Sequence, residues 1–141
     1  MKARQPEFLT ELTSRNIDDE RAMLVEPFRY YSRILKRDIE IPVKFVTDGA
    51  SVPRVPVAYL FFGGRAKEAA VVHDWLYQTH ECKSRRQADL VFMEAMKLQG
   101  LPLWVRELMY AGVRVGGSGS WNDGPARLAA TRRMQNLTDK P

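Results

Sequence analysis

A stretch marked by proline and glycine, residues 47–64, divides this sequence into two parts with different hydrophobic periodicity. Two prolines and a glycine fall within its first ten residues, a composition that the interior of a helix does not accept. Gly63 and Gly64 close it. We interpret the stretch as an irregular loop. Apolar residues alternate before it and recur at helical spacing after it, so the loop separates a β-rich part from a helical part.

The β-rich part covers residues 1–46. Residues 39–46 alternate apolar and polar side chains with period two, which is typical of a half-buried strand. Residues 8–12 and 22–31 are further strand candidates, and Pro27 predicts that the second lies at a sheet edge or contains a bulge. Turn-like residues between the candidates favour pairing of neighbours in a small antiparallel sheet.

Residues 65–115 have the pattern of a helical core. Three helices are expected there, the second with Ser84 as its N-cap and Gly100 just past its end. Their expected ranges are 66–79, 84–99 and 102–115. In the remaining part, residues 116–141, the Gly-Gly-Ser-Gly-Ser sequence predicts a flexible break, followed by a short basic helix and a loose tail.

The predicted architecture is therefore α+β, with a small N-terminal antiparallel β-sheet followed by a bundle of three to four helices. A chain of 141 residues suits a single domain, which we place at residues 1–141. No apolar run reaches the roughly 18 residues of a transmembrane segment, and the first residues lack the apolar core of a signal peptide. Cys82 is the only cysteine, so neither an internal disulfide nor a cysteine zinc site is expected.

The chemistry is expected between the first two helices. His73 shares a helix face with Ala69 and Tyr77, and Asp89 lies on the apolar face of the next helix. A carboxylate in apolar surroundings is costly unless it is paired. Because the helices are joined by a short loop, they should be antiparallel neighbours, and His73 and Asp89 are natural partners. Asp89 would fix the imidazole tautomer and leave the other nitrogen as a base, while the Tyr77 hydroxyl holds Asp89.

An alternative interpretation is that the histidine–aspartate pair only ties the two helices together. We expect His73, Asp74, Tyr77 and Asp89 to converge on one inward face, with Asp74 rotated about 100° from His73 toward the edge of that face. Asp74 favours a functional site, because a second acid beside the histidine suits a cation ligand. Asp48 and Ser51 either bond backbone groups of their own loop or join the same site as a further ligand or acid.

The motif His73-Asp74-x-x-Tyr77, followed by Ala88-Asp89, resembles the catalytic helix pair of phospholipase A2, especially the compact viral capsid type. This resemblance implies that His73 activates a water molecule, that Asp89 orients the histidine and that Asp74 is a Ca²⁺ ligand. The resemblance also places residues 59–64, with Gly63 and Gly64, where that family has its calcium loop.

A second resemblance covers nearly the whole chain. Residues 45–54, 73–77, 88–89 and 110–116 resemble an uncharacterised protein family that is common in bacteriophage and prophage genomes. This resemblance implies a bacteriophage origin and no established activity. Synthesis is then expected in the host cytoplasm, with incorporation into the virion as a further expectation.

Two hypotheses follow for the function. In the first, the protein is a hydrolase of phospholipid or other cell-envelope esters. In the second, it is a virion component, for instance at the tail or tail tip, contacting other virion proteins, and the same residues are structural or bind a cation without turnover. The net charge of +5 fits an acidic partner but is common among soluble proteins, and no motif predicts specific nucleic-acid recognition.

Four side chains outside this cluster receive simpler interpretations. Arg85 and Arg127 are expected on solvated helix faces, with phosphate contacts as the alternative. His80 is expected to face solvent beyond the end of the first helix. Trp121, which follows the glycine-rich break, is a candidate for an exposed contact with a partner or a membrane interface.

Overall fold

The computed structural model describes residues 2–48 and 65–141. Within these residues, six short strands come first along the chain and four helices follow, so the α+β class predicted from the sequence is confirmed. The strands are β1 (Glu7–Phe8), β2 (Ser14–Asn16), β3 (Ala22–Leu24), β4 (Phe28–Ser32), β5 (Arg37–Ile41) and β6 (Val46–Thr47), and the helices are α1 (Lys67–Thr79), α2 (Arg85–Leu98), α3 (Leu103–Gly116) and α4 (Ser118–Thr138).

The strands form two antiparallel three-stranded sheets, with the orders β1-β4-β5 and β2-β3-β6. A single sheet was expected. The expected strand over residues 22–31 is broken before Phe28, so that its two halves, β3 and β4, belong to different sheets. Pro27 at this break has no N–H for a sheet hydrogen bond. Lys44, in the left-handed conformation with a φ of 73°, lies between β5 and β6, which also belong to different sheets.

The sheet that contains β4 and β5 packs its apolar face into the core. Phe28 and Tyr30 of β4 and Ile39 and Ile41 of β5 are fully buried, as the period-two pattern predicts. Polar contacts then connect this sheet region to α2. The Tyr30 hydroxyl donates to Glu94 at 2.9 Å, and the Ile34 backbone N–H donates to the same carboxylate at 3.1 Å.

Helix α1 is the centre of the helical part and packs against both α2 and α4. The three helices expected between residues 66 and 115 are confirmed to within two residues at each end. Ser84 caps α2 by accepting a hydrogen bond from the Gln87 N–H at 3.2 Å. After α2 the chain turns at Gly100, whose φ of 78° favours glycine.

The flexible break expected at residues 116–120 is wrong. Only Gly117 separates α3 from α4, and α4 begins at Ser118 and continues through Pro125 to Thr138, well beyond the short helix expected there. The glycines serve close packing instead, because a Cβ on Gly124 would lie 2.0 Å from the backbone oxygen of Tyr77 in α1. No helix among the described residues is long and apolar enough to cross a membrane.

Candidate functional site

His73 and Tyr77 stand one turn apart on the inner face of α1. Both side chains are fully buried, and their ring centroids are 4.2 Å apart. Phe92 of α2 covers the imidazole from the other side, at 4.6 Å between centroids. The i, i+4 spacing therefore aligns an imidazole and a phenol toward the same partner on α2.

That partner is Asp89, which is fully buried and accepts hydrogen bonds on both carboxylate oxygens. Its Oδ1 lies 2.7 Å from Nε2 of His73 and accepts from the Tyr77 hydroxyl at 2.6 Å. Its Oδ2 accepts from Nη1 of Arg114 at 2.8 Å, and Arg85 Nη1 lies 3.7 Å from the same oxygen. We call these five residues the histidine network. The structure thus brings together the three residues expected to act as base, orienter and support.

The charge state of Asp89 follows from these contacts. Burial alone would raise its pKa, but the hydrogen bonds from His73, Tyr77 and Arg114 outweigh burial and hold the pKa of Asp89 below its usual range. Burial and the adjoining Asp89 charge raise the pKa of Tyr77, so the phenol stays protonated and donates. Asp89 is therefore an ionised acceptor at neutral pH.

An ionised Asp89 determines the tautomer of His73. Because a carboxylate only accepts, Nε2 must carry the proton, and in the neutral ring Nδ1 then bears a lone pair. Nδ1 is buried and has no hydrogen-bond partner within residues 2–48 and 65–141. Within the described part of the chain, the lone pair of His73 Nδ1 is therefore left without a donor.

Asp74 follows His73 directly but belongs to a different set of contacts. Its Oδ2 accepts from the Thr47 hydroxyl at 2.9 Å and from the Asp48 N–H at 3.2 Å. Its Oδ1 lies 3.7 Å from Nη1 of Arg127, and the same Nη1 donates to both carboxylate oxygens of Asp48, at 2.9 and 2.8 Å. Burial, followed by the nearby Asp48 charge, raises the pKa of Asp74. We call Thr47, Asp48, Asp74 and Arg127, with Ser120, the two-aspartate network.

The expectation that Asp74 shares one inward face with His73, Tyr77 and Asp89 is corrected by these contacts. All four side chains are buried. However, the roughly 100° rotation between successive helical residues turns Asp74 toward β6 and α4, whereas His73 points toward α2. Asp48 joins Asp74 rather than the histidine.

A family model described as "Protein of unknown function (DUF1353)" matches residues 22–113. The chain belongs to this family. The matched range contains His73, Asp74, Tyr77 and Asp89, and it ends before Arg114 and Arg127. No curated protein and no solved structure matches the chain.

In this DUF1353 member, the described residues around Asp74 do not by themselves supply the ligands of the Ca²⁺ ion that the phospholipase resemblance implies. Calcium needs six to eight oxygen ligands, and no group of three or more metal-ligating side chains lies in the described parts of the chain. The cation beside Asp74 is already the guanidinium of Arg127. Gly63 and Gly64, the other expected ligands, and the site candidate Ser51 lie outside the described residues.

Three basic side chains have roles that the sequence interpretation missed. Arg85 was expected on a solvated helix face, but it donates to the backbone oxygens of Val113 and Arg114 at 2.8 and 3.2 Å. Arg114 reaches Asp89, and Arg127 reaches Asp48. The one available signal was the i, i+4 spacing of Arg85 and Asp89. The other two arginines come from later helices, whose position depends on tertiary packing.

Gly117 and the beginning of helix α4 lie against the histidine network. A Cβ on Gly117 would lie 2.6 Å from the Tyr77 hydroxyl, so only glycine leaves room for that hydroxyl in its present position. Trp121 is half-buried against Tyr77, with the ring centroids 5.4 Å apart. His80 does not simply face solvent as expected, because it stacks on Trp121 and its Nε2 donates to the Trp121 carbonyl at 2.8 Å.

Proposed function

We propose that this DUF1353 member is a hydrolase of phospholipid or other cell-envelope esters, in which His73 is the general base and Asp89 orients it. One observation carries the proposal. The Nε2 atom of His73 is held 2.7 Å from Asp89, while Nδ1 is buried without a hydrogen-bond partner in the described part of the chain. A histidine that only tied two helices together would be more stable with both nitrogens satisfied.

The substrate class rests on the resemblance of the helix pair to phospholipase A2. In this proposal the Tyr77 hydroxyl and His73 share one oxygen of Asp89, which keeps the carboxylate fixed behind the base. The resemblance to a family of phage genomes supports a bacteriophage protein that is made in the host cytoplasm. An ester hydrolase carried in the virion would act on the envelope that a phage must cross.

The proposed reaction uses the proton arrangement of the histidine network. Nδ1 of His73 removes a proton from a water molecule, and the resulting hydroxide adds to the acyl carbon of the ester. Asp89, which keeps its negative charge because its pKa is lowered, stabilises the imidazolium that forms. The tetrahedral intermediate then loses the alcohol, which takes its proton from His73, and a carboxylic acid remains. No step of this scheme uses a metal ion.

A second candidate function is favoured by the burial of the same residues. His73 and Asp89 have no exposed surface, so an ester must displace part of the packing around the imidazole to reach Nδ1. In this candidate the protein is a non-catalytic virion component, and the histidine network joins α1, α2 and α3. Mass spectrometry of purified virions tests whether the protein is incorporated.

The deciding experiment measures fatty acid release from phospholipid vesicles by the wild type and His73→Gln. The glutamine amide retains an N–H near the position of Nε2, so the bond to Asp89 is kept, but it has no basic nitrogen at the position of Nδ1. We expect turnover to fall by about 10²–10⁴-fold, the usual contribution of a general base. The melting temperature should remain close to that of the wild type.

Tyr30→Phe provides a matched control, because it removes a hydrogen bond from a buried tyrosine to a carboxylate outside the histidine network. This variant should keep the turnover of the folded protein. Turnover that survives in His73→Gln would overturn the mechanism. Absence of release by a folded wild type, on phospholipid and on simple acyl esters, would favour the non-catalytic candidate.

A further inference from the structure

Oxygen atoms surround the guanidinium of Arg127. Its Nη1 donates to Oδ1 and Oδ2 of Asp48 at 2.9 and 2.8 Å. Its Nη2 donates to the backbone oxygen and the hydroxyl of Ser120 at 3.1 and 2.9 Å. Four oxygen atoms from two residues therefore hold one cationic group, which is three-quarters buried.

Asp74 adds a fifth oxygen to these surroundings. Its side chain is fully buried, and its Oδ1 has no hydrogen bond within the described residues, yet it lies 3.7 Å from Nη1 of Arg127. A buried carboxylate oxygen without a donor is costly unless a nearby charge compensates it. The only positive charge that the described residues place in contact with Asp74 is that of Arg127. One nitrogen of Arg127, Nη1, thus lies against both carboxylates.

We propose that Arg127 is a built-in cation that takes the place of a divalent metal ion between Asp48 and Asp74. Carboxylate, carbonyl and hydroxyl oxygens are the ligands that Ca²⁺ prefers, and here they are engaged by the guanidinium. Nη1 of Arg127 contacts the carboxylates of both Asp48 and Asp74, so a Ca²⁺ ion bound to both would meet the positive charge of the guanidinium at close range. The site is therefore closed to calcium in the wild type, and the ester hydrolysis proposed above, on which this last step rests, proceeds without calcium.

Replacement of Arg127 by a neutral side chain should convert these residues into a calcium site. Without the guanidinium, Asp48 and Asp74 repel each other, and the Ser120 oxygens lose their donor. A hydrated divalent ion then satisfies all of these oxygens at once. Arg127→Lys is the matched control, because it keeps one positive charge in the same place and should leave the site closed.

The experiment is isothermal titration of CaCl₂ into the wild type, Asp74→Asn, Arg127→Gln, Arg127→Lys and the double variant Arg127→Gln/Asp74→Asn. We expect no saturable binding in the wild type or Arg127→Lys up to about 1 mM, a concentration that fills weak protein calcium sites. Arg127→Gln should bind a single calcium ion per chain, and the added Asp74→Asn change should abolish that binding. If Arg127→Gln unfolds below the titration temperature in the absence of calcium, added calcium should raise its melting temperature.

Saturable calcium binding by the wild type that Asp74→Asn removes would overturn the proposal, whatever the variants do. So would a folded Arg127→Gln that binds no calcium. Fatty acid release measured with calcium and with chelator separates this inference from the proposed function. Fatty acid release that requires both calcium and Asp74 would overturn the proposal that Arg127 is a built-in cation and would support the proposal that the protein is a hydrolase. If no fatty acid is released but the titrations give the expected results, the hydrolase proposal is overturned and the proposal for Arg127 is supported.

Discussion

His73 and Asp74, two successive residues of α1, belong to two different buried networks. The pKa of the central carboxylate is shifted in opposite directions in the two networks. The histidine network centres on Asp89 and contains two arginines, and the two-aspartate network centres on Asp74 and contains one. Both carboxylates are fully buried. However, the pKa of Asp89 is lowered, whereas the pKa of Asp74 is raised.

Burial raises the pKa of both carboxylates, and the hydrogen-bond donors around each one decide whether that rise is outweighed. Asp89 accepts from three side-chain donors, and both of its oxygens are engaged. Among the described residues, Asp74 accepts hydrogen bonds on Oδ2 alone, and it lies near the second negative charge of Asp48. The hydrogen bonds of the histidine network thus stabilise the ionised form of Asp89. In the two-aspartate network, two carboxylates contact the same guanidinium, that of Arg127.

The largest expected effect is a difference in stability between Asp89→Asn and Asp74→Asn. Asp89→Asn removes the charge that pairs with Arg114 and turns an amide N–H toward that guanidinium, so we expect a loss of about 3–5 kcal/mol, the usual result of breaking a buried ion pair. Asp74→Asn keeps an acceptor for Thr47 and relieves the repulsion with Asp48, so its cost should stay near 1 kcal/mol or below. Urea unfolding at neutral pH measures both, and equal losses would break the comparison.

The sequence predicted the centre of the histidine network but not its edges. Helical spacing aligns His73 with Tyr77, and a connection of five residues, 80–84, makes α1 and α2 antiparallel neighbours, so that Asp89 had to face them. Arg114 comes from α3, whose orientation is set by packing over the whole core. The two-aspartate network was not predicted either, because β6 and α4 are distant in sequence from Asp74 and their positions depend on tertiary packing.

The α+β class and the helix ends could also be predicted from the sequence, because helix caps and hydrophobic periodicity are local signals. The arrangement of the strands was not, since β3 and β4 are adjacent in sequence but pair in different sheets. Gly117 and Gly124 were interpreted as part of a flexible segment or of a short helix. In the structure these glycines allow α4 to pack closely against α1. A glycine-rich sequence fits both a flexible segment and a close helix contact, and only the position of α1 against α4 distinguishes these alternatives.

The next largest effect should come from alanine at Gly124, compared with alanine at Gly119. A Cβ at Gly124 would lie 2.0 Å from the Tyr77 backbone oxygen, so α4 must shift, at an expected cost of about 3 kcal/mol. Nothing lies within 4 Å of a Cβ at Gly119, and alanine there should stabilise the helix by up to about 1 kcal/mol. Thermal unfolding of both variants measures these costs; stabilisation by Gly124→Ala would contradict the close approach of α4.

A smaller effect on stability, with a clear effect on turnover, is expected for Tyr77→Phe. Loss of its hydrogen bond to the charged Asp89 should cost about 1.5 kcal/mol. Tyr30→Phe removes a similar bond to Glu94 and should cost about the same. Only Tyr77→Phe should also lower kcat for ester hydrolysis, with little change in KM, because Asp89 then orients His73 less firmly. Equal losses of kcat in both variants would assign the effect to stability alone.

The smallest effect concerns the pH dependence of stability, where the pKa values of the two carboxylates lie on opposite sides of 3.8, the ordinary value for an aspartate. The lowered pKa of Asp89 contributes stability that is full above 3.8 and is lost as the pH falls through the folded-state pKa. The raised pKa of Asp74 has the opposite sign: above 3.8 the unfolded chain releases this proton first, so stability falls as the pH rises toward the folded-state pKa. Asp74→Asn should therefore flatten the decline of the free energy of unfolding above pH 3.8, measured by urea unfolding across the acidic range. A wild type and Asp74→Asn with parallel curves would show that Arg127 fully compensates the Asp74 charge.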